Sequence, residues 1–150
     1  MKRNMIKICR ATQGVEESFL VECLSEQCFI PFVTLMADIR RERNLYEFIF
    51  IEEDDSRLGI IILKKDPQKN RCLDVTISVI PKYRNQKVAE KAMQLLLEKI
   101  RTDGYYTCLE TFIRQDNEWA QRHMQKFNFV KFCTRQSHSL YFLNLKRHTG

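Results

Sequence analysis

Residues 73–93 read LDVTISVIPKYRNQKVAEKAM, and within them the spacing of the apolar side chains changes. The first part alternates apolar and polar residues, as a strand with one buried face does. The last part, from Val88, spaces its apolar residues three and four apart, as an amphipathic helix does. Pro81 has no N–H to donate and ends the strand, so residues 82–87 form a short basic loop. The sequence therefore predicts a strand that leads into a helix through a polar loop.

This loop is a candidate site for a phosphate group. The first N–H groups of a helix have no partner inside the helix and lie at the positive end of its dipole. Lys82, Arg84, Lys87 and Lys91 add positive charge, against Glu90 alone. On charge alone, a solvated surface of a basic protein is the simpler interpretation. The order of the residues favours the phosphate site.

Residues 79–89, VIPKYRNQKVA, resemble the acyl-CoA pyrophosphate motif of the GNAT acetyltransferase superfamily, Val-x-Pro-x-Tyr followed by Arg/Gln-x-x-Gly-x-Gly/Ala. Lys87 departs from the motif, because the family usually has glycine there, which lets backbone amides approach a phosphate closely. A lysine could bind the phosphate itself or obstruct its site, and the sequence leaves both open. The matching residues are Val79, Pro81, Tyr83, Arg84, Val88 and Ala89.

A second stretch has the spacing Asn-x-x-Ala-x-x-x-Met-x-Lys-x-Asn-Phe, starting at Asn117. It resembles the family's Asn-x-x-Ala/Ser-x-x-x-Tyr/Leu-x-Lys-x-Gly-Phe. Asn128 replaces the usual glycine, and asparagine tolerates the left-handed conformation that ends a helix. Met124 stands where many members have a tyrosine that protonates the leaving thiolate. His123 is adjacent but points about 100° away on the helix, so we interpret it as a surface or packing residue.

The remaining patterns predict one α+β domain over residues 1–150. Its central sheet is mixed but mostly antiparallel, has about seven strands and carries helices on both faces, in the order of a GNAT-like fold. Two helices are predicted between residues 14 and 44, the second beginning at Pro31, and two more begin at Val88 and after Asn117. The predicted strands are 5–11, 46–51, 58–63, 73–79, 105–114, 130–135 and 140–145.

The resemblance implies acetyl-CoA as co-substrate. It implies that Ile77, Ser78 and Val79 present backbone groups to the pantetheine arm, between strands that splay apart. Asn117 would hydrogen-bond the pantetheine or order a nearby water, and it is equally suited to cap the last helix. The residues that would hold the pyrophosphate through backbone N–H groups are Arg84, Asn85, Gln86, Lys87, Val88 and Ala89.

The implied reaction is attack of a neutral amine on a thioester, which needs a base, an oxyanion donor and an acid. Glu110 is the candidate base, because a carboxylate in an otherwise apolar strand needs a partner or a raised pKa. An ion pair or an exposed position explains Glu110 equally well. The amide of Val79 is the family's oxyanion donor. The proposed activity is acetyl-CoA-dependent N-acetylation of a primary amine, and the alternative, suggested by Lys87 and Met124, is a catalytically degenerate binding or regulatory module.

Composition bounds the partners and the location. The net charge of +6 is spread along the chain, which disfavours nucleic acid as a partner. The expected acceptor is a small-molecule amine or a protein amine. No apolar run is long enough to span a bilayer, and the start of the chain lacks a signal-peptide pattern, so we predict a cytoplasmic protein without a membrane partner. The sequence leaves the oligomeric state open, a homodimer included.

The six cysteines predict no metal site and no disulfide framework. Their spacing contains no Cys-x-x-Cys and no paired Cys/His arrangement, and most fall within apolar patterns. They are therefore expected to be reduced and mostly buried thiols. The positions are Cys9, Cys23, Cys28, Cys72, Cys108 and Cys133.

Overall fold

The computed structural model describes residues 5–24, 32–69 and 71–145. The order of its elements agrees with the sequence-based prediction, and the predicted start of the second helix at Pro31 lies outside the described residues. The strands are β1 (Ile6–Arg10), β2 (Tyr46–Glu53), β3 (Ser56–Lys65), β4 (Cys72–Val79), β5 (Cys108–Arg114), β6 (Val130–Arg135) and β7 (His138–Asn144). The helices are α1 (Glu17–Leu24), α2 (Phe32–Arg41), α3 (Val88–Asp103) and α4 (Glu118–Lys126), with short 3₁₀ turns at Arg43–Leu45 and Pro81–Tyr83.

The seven strands form one sheet in the order β1-β2-β3-β4-β5-β7-β6. All neighbouring strands are antiparallel except β4 and β5, which are parallel. The predicted mixed and mostly antiparallel α+β sheet is therefore confirmed. The hairpin turn is shorter than predicted, because Glu52 and Glu53 continue the ladder opposite Arg57 and Ser56 and leave only two residues in the turn.

The helices cover both faces of the sheet. On one face, α3 and α4 pack on the side chains of Leu73, Val75 and Val79 of β4. On the other face, α1 and α2 pack on Ile60 and Ile62 of β3. Each face is buried by an apolar stripe at helical spacing, which is why the periodicity of the sequence predicted these elements. No described helix is long and apolar enough to cross a membrane.

The parallel pair β4 and β5 separates soon after it begins. The register joins Cys72 with Cys108 and Asp74 with Glu110, and it continues no further, although β4 extends to Val79. Beyond this point β5 pairs only with β7. We call the space between the two strands the β4–β5 gap, and the Asp74–Glu110 level its closed end.

The backbone of β4 points alternate groups into this gap. The amide of Ile80 donates to the carbonyl of Leu58 at 2.8 Å, so even-numbered residues of β4 face β3. In an antiparallel ladder the intervening residues turn their N–H and C=O groups to the opposite side. Ile77 and Val79 therefore present both backbone groups to the gap, and Ser78 presents its own to β3.

The expectation of reduced cysteines is wrong for Cys72 and Cys108, which form a disulfide between β4 and β5. The two residues are register partners with Cα atoms 4.8 Å apart, but they are 36 residues apart in sequence, so spacing alone did not pair them. Of the other described cysteines, all free thiols, Cys23 is buried, Cys133 is half-buried and Cys9 is exposed, and Cys28 lies outside the described residues. Burial raises the pKa of Cys23 to about 12, as expected for an inert thiol.

Gly59 in β3 allows β4 to approach closely. A larger residue at this position should therefore destabilise the protein. A Cβ atom there would lie 2.4 Å from the carbonyl oxygen of Ser78 and 2.9 Å from the Cα of Val79. We expect Gly59→Ala to lower the free energy of unfolding by about 1–3 kcal/mol, because backbone atoms must shift. Urea denaturation followed by circular dichroism measures it.

Gly104 provides the control for this substitution. Its φ of +71° is left-handed, yet nothing lies within 4 Å of an added Cβ. Gly104→Ala should cost only the conformational term, about 1 kcal/mol. If Gly59→Ala and Gly104→Ala lost the same free energy of unfolding and bound cofactor equally well, the close approach of β4 would not be the reason for glycine at position 59.

Candidate active site

A cleft of about 740 Å³ opens where β4 ends, between the first turn of α3 and one face of α4 along its length. We call it the α3–α4 cleft, and it continues into the β4–β5 gap through Ile77 and Val79. Its lining includes most residues that the sequence assigned to cofactor binding: Ile77, Val79, Arg84, Asn85, Lys87, Val88, Ala89 and Asn117.

Two residues assigned to cofactor binding lie outside the cleft lining. Ser78 is buried on the α1 side of the sheet, where its hydroxyl donates to the carbonyl of Cys23. Gln86 is exposed, and its side-chain amide donates to the carbonyl of Lys82 at 3.2 Å. The position of Ser78 follows from strand alternation, because only every second residue of β4 can face the gap.

The loop before α3 presents a run of available amides. Within the described ranges, none of the amides of residues 85–90 donates to a backbone carbonyl, whereas Lys91 donates to Lys87 at 3.1 Å. The amide of Arg84 is engaged with the carbonyl of Pro81 at 3.2 Å. Residues 85–90 therefore offer the anion-binding donors predicted for this loop, at the positive end of a long helix.

Lys87 adopts a left-handed backbone conformation, which glycine adopts without steric cost. Its φ is +62° and its ψ is +21°, and it is the N-terminal cap of α3 without a side-chain capping bond. Asn85 is also left-handed, with φ of +64°. The backbone thus takes this left-handed path in spite of the lysine, at a cost of about 1–2 kcal/mol for a non-glycine residue. The exposed side chain of Lys87 lines the cleft without closing it.

Arg84 connects the loop to the gap. Its Nε donates to the carbonyl of Val79 at 3.0 Å. Tyr83, beside it, packs against the core clusters on both faces of the sheet. The Arg84 hydrogen bond and the packing of Tyr83 fix the loop against the end of β4, beside the cleft.

The first turn of α4 confirms one of the two interpretations of Asn117. Its Oδ1 accepts a hydrogen bond from the amide of Ala120 at 3.1 Å, so it caps the helix. It also lines the cleft, which leaves its amide nitrogen available for a ligand. At the other end of the helix, Asn128 is left-handed with φ of +71°, as predicted. Met124 is buried in the core beside α3.

Sequence reasoning missed the α4 side of the cleft. Trp119, Arg122, His123 and Lys126 all line it. The i,i+4 spacing of Trp119 with His123, and of Arg122 with Lys126, was the available signal, because such pairs share a helix face. The two aromatic rings stack with centroids 4.8 Å apart.

His123 is a packing residue and not a surface residue, and it lines the α3–α4 cleft. It is buried, and its Nε2 has no hydrogen-bond partner among the described residues. Burial lowers the pKa of His123, Lys126 lowers it further, and Glu90 opposes both. The imidazole is therefore neutral near pH 7. Lys126 in turn donates to Glu90 of α3, so this ion pair spans the cleft and lowers the pKa of Glu90.

The structure does not bring the two predicted catalytic residues together. Glu110 is level with Asp74 in the register, five residues from Val79, which is roughly 16 Å along an extended strand. Its side chain is 3% exposed, and its Oε2 lies 2.8 Å from Nζ of Lys69. The ion pair suggested as an alternative for Glu110 is thus present, and its role as the base stays a prediction.

The β4–β5 gap opens onto the N-terminal end of α3, and this arrangement in an α+β sheet suits an acetyltransferase that uses an acyl-CoA. The chain belongs to the GNAT acetyltransferase family, whose family model matches residues 15–129. No curated protein is significantly similar to it in sequence.

Solved structures share the fold at low sequence identity. The ribosomal-protein-S18-alanine N-acetyltransferase of Escherichia coli is similar with a TM-score of 0.73 and 14% identity, over 96% of each chain. A GNAT family acetyltransferase of Elizabethkingia anophelis with acetyl-CoA bound has a TM-score of 0.71 and 14% identity, covering 93% of this chain and 97% of its own. A Bacillus subtilis acetyltransferase in complex with CoA has a TM-score of 0.74 and 11% identity, over 93% of this chain and 99% of its own.

Replacing the left-handed Lys87 with glycine should change the stability and the cofactor affinity in opposite directions. We expect Lys87→Gly to raise the free energy of unfolding by about 1 kcal/mol, because glycine adopts this conformation freely. The same variant should bind acetyl-CoA more weakly by about 1–2 kcal/mol, because a charge-assisted contact with phosphate is lost. Chemical denaturation and calorimetric titration measure the two quantities.

Two further variants separate charge from backbone at this position. Lys87→Asn removes the ammonium but tolerates the left-handed conformation, so it should weaken binding as Lys87→Gly does. Lys99→Gln removes an exposed charge elsewhere on α3 and should leave affinity unchanged. Tighter binding by Lys87→Gly would mean instead that the lysine obstructs the site.

Two substitutions of Asn117 should separate its role as a helix cap from its role in ligand binding. Asn117→Ala should destabilise the protein by about 1 kcal/mol through loss of the cap and should also weaken acetyl-CoA binding. Asn117→Asp keeps the capping oxygen but removes the amide donor and adds a negative charge, so only binding should weaken. Thermal melting with and without acetyl-CoA compares them. Unchanged affinity in both variants would leave capping as the role of Asn117.

Proposed function

We propose that the protein is an acetyl-CoA-dependent N-acetyltransferase that transfers the acetyl group to a primary amine by direct attack. The observation that carries the proposal is the continuity of the β4–β5 gap with the free amides of residues 85–90. The loop suits the pyrophosphate, and the gap suits an amide-rich arm that completes the interrupted ladder. The two relatives solved with acetyl-CoA or CoA support the same co-substrate.

The side chains around this path fit the charges of the reactants. Lys87, Arg122 and Lys126 lie at the cleft, where CoA would place its phosphates. Asp74 and Glu110 lie at the closed end of the gap, where an amine would meet the thioester. A cationic mouth and an anionic closed end would orient an anionic cofactor and an ammonium acceptor from opposite sides of the reaction centre.

The backbone of β4 supplies the proposed oxyanion donor. Val79 and Ile77 both turn an N–H into the gap, and such a fixed donor stabilises the negative charge of a tetrahedral intermediate. The sequence assigned this role to Val79. Met124 has no proton to give to the departing thiolate, so in this proposal the thiolate is protonated by water or by another group in the cleft.

A catalytically degenerate binding module is the competing proposal. The sequence suggested it because Lys87 replaces a glycine and Met124 replaces a tyrosine. Two observations weaken the case from Lys87: its backbone is left-handed as a glycine would be, and its side chain is exposed at the edge of the cleft. We therefore favour the enzyme.

The acceptor and the location are proposed at a coarser level. A small-molecule amine and a protein amine are both compatible with the site, and one structural relative is an alanine N-acetyltransferase of ribosomal protein S18. The proposed location is the cytoplasm, as the sequence predicted. A nucleic-acid partner is not part of the proposal.

Acetyl-CoA should raise the melting temperature, because a ligand that binds only the folded state stabilises it by mass action. At one hundred times its dissociation constant the expected stabilisation is about 2.7 kcal/mol. Differential scanning fluorimetry with acetyl-CoA, CoA and ATP measures the effect, and ATP serves as the control for nonspecific phosphate binding.

Turnover then decides between enzyme and binding module. Release of CoA from acetyl-CoA should increase when an alkylamine, a polyamine or a peptide with a free N-terminus and lysine is added. The enzyme is excluded if cofactor binds and no amine is acetylated, and the whole proposal is abandoned if no CoA species shifts the melting temperature at millimolar concentration.

A further inference from the structure

The closed end of the gap carries a second carboxylate that the sequence did not single out. Asp74 of β4 is the register partner of Glu110 of β5, so the two side chains share the face of the sheet covered by α1 and α2. They lie at the last paired level before the strands separate. Asp74 is partly exposed, whereas Glu110 is buried.

Glu110 is engaged in a way that opposes proton transfer. Its Oε2 is paired with Nζ of Lys69 at 2.8 Å, and its Oε1 lies 3.6 Å from the sulfur of Cys72. An incoming amine would have to displace the lysine and enter a site that is almost fully closed. The ion pair instead holds the Glu110 carboxylate in place.

Asp74 is placed differently. Within the described residues its carboxylate makes no hydrogen bond or ion pair. Its register partner on β3, Lys64, directs its ammonium to Asp38 and Glu42, at 2.9 and 3.1 Å. The charged groups that act on Asp74 are thus Glu110 from β5, Lys64 from β3, and Asp66 and Lys69 from the β3–β4 turn.

We propose that Asp74, rather than Glu110, accepts the proton of the acceptor ammonium, and that Glu110 with Lys69 positions it. This inference rests on the proposed acetyltransferase function. Asp74 takes one proton from the ammonium, and the freed nitrogen lone pair bonds to the thioester carbonyl carbon. The intermediate then collapses, the C–S bond breaks with its electron pair on sulfur, and the nitrogen loses its second proton. One of the two protons leaves on the CoA thiol and the other passes to water.

The electrostatic surroundings suit this role. Burial raises the pKa of Asp74 to about 7, with further increases from Glu110 and Asp66 and smaller opposing effects from Lys64 and Lys69. A base is most effective when its pKa is near the working pH. Glu110 therefore contributes through its negative charge, which favours the protonated form of its neighbour.

The inference also places the reaction centre. Asp74 is three residues from Ile77, whose amide faces the gap, but roughly 16 Å along the strand from Val79. A thioester within reach of Asp74 lies at the closed end, so the oxyanion donor is the amide of Ile77, the first odd-numbered residue of β4 beyond the paired levels. Val79 then contacts the pantetheine arm nearer the cleft.

Single-turnover kinetics with the best amine of the panel tests the assignment. Asp74→Asn keeps the shape but removes the proton affinity, so the rate at pH 8 should fall by about 10²–10⁴-fold. Asp74→Glu should recover part of the rate. Asp55→Asn, the same change in the exposed β2–β3 turn, should have no effect. Equal thermal shifts with acetyl-CoA in all variants would show that the cofactor site is intact.

The pH profile separates a base from a merely structural carboxylate. The wild-type rate should increase with pH up to about 7 and then level. Asp74→Asn should lose this dependence. Glu110→Gln should keep an acidic limb but move it to lower pH, because a neighbouring negative charge has been removed.

Stability provides a readout that does not depend on turnover. A carboxyl with a raised pKa binds its proton more tightly in the folded protein than in the unfolded one. Folding stability should therefore fall as pH rises from about 4, where the unfolded group titrates, through about 7, where the folded group does. Asp74→Asn should flatten this decline in urea titrations, and Asp55→Asn should not.

The outcomes distinguish this inference from the function on which it rests. An active wild type with an Asp74→Asn variant of unchanged rate and pH profile overturns the role of Asp74 and leaves the acetyltransferase standing. A Glu110→Gln variant that alone loses the acidic limb returns the role to Glu110. No turnover of any amine by the wild type overturns both.

Discussion

The separation of β4 from β5 after a single short run of pairs is the constraint on which the rest of the structure depends. Every buried backbone donor and acceptor needs a partner. The even-numbered residues of β4 find theirs on β3, and the odd-numbered residues near its end face an open gap. The gap is therefore a hydrogen-bonding surface that an extended, amide-containing ligand can complete. Gly59 holds this surface in position, because its missing side chain lets β3 and β4 lie in close contact.

The loop at the open end of the gap takes its shape from two residues with an unusual backbone conformation. Lys87 and Asn85 both take left-handed conformations that most residues avoid. The loop lines the cleft, and its amides, which donate to no described backbone carbonyl, lie at the positive end of the helix dipole. Tyr83 and Arg84 fix the loop to the end of β4, through packing on both cores and a bond to Val79. The strain at Lys87 is thus maintained by tertiary contacts around it.

The charged side chains near the site are separated by sign along the β4–β5 gap, with cations at one end and carboxylates at the other. The cleft end carries Lys87, Arg122 and Lys126, and the closed end carries Asp74 and Glu110. The net charge of +6 hides this arrangement, because it averages the two ends. A polarity of this kind suits a reaction in which one reactant brings phosphates and the other brings an ammonium. The disulfide between Cys72 and Cys108 ties the two strands together at the start of their paired run, two residues before the closed end of the gap.

The sequence by itself determined the order of the elements, the loop that joins β4 to α3 and the left-handed end of α4, because these follow from local periodicity and from the properties of Pro81 and Asn128. It also placed Asn117 at a helix N-terminus. Only the tertiary structure decided which residues meet across strands that are distant in the chain. The tertiary structure paired Cys72 with Cys108 and placed Asp74 beside Glu110. It also joined Glu110 to Lys69 in an ion pair and turned Ser78 away from the gap. The physical reason is register: a period of two gives the face of each strand, and only the pairing of β4 with β5 fixes which side chains lie level with each other.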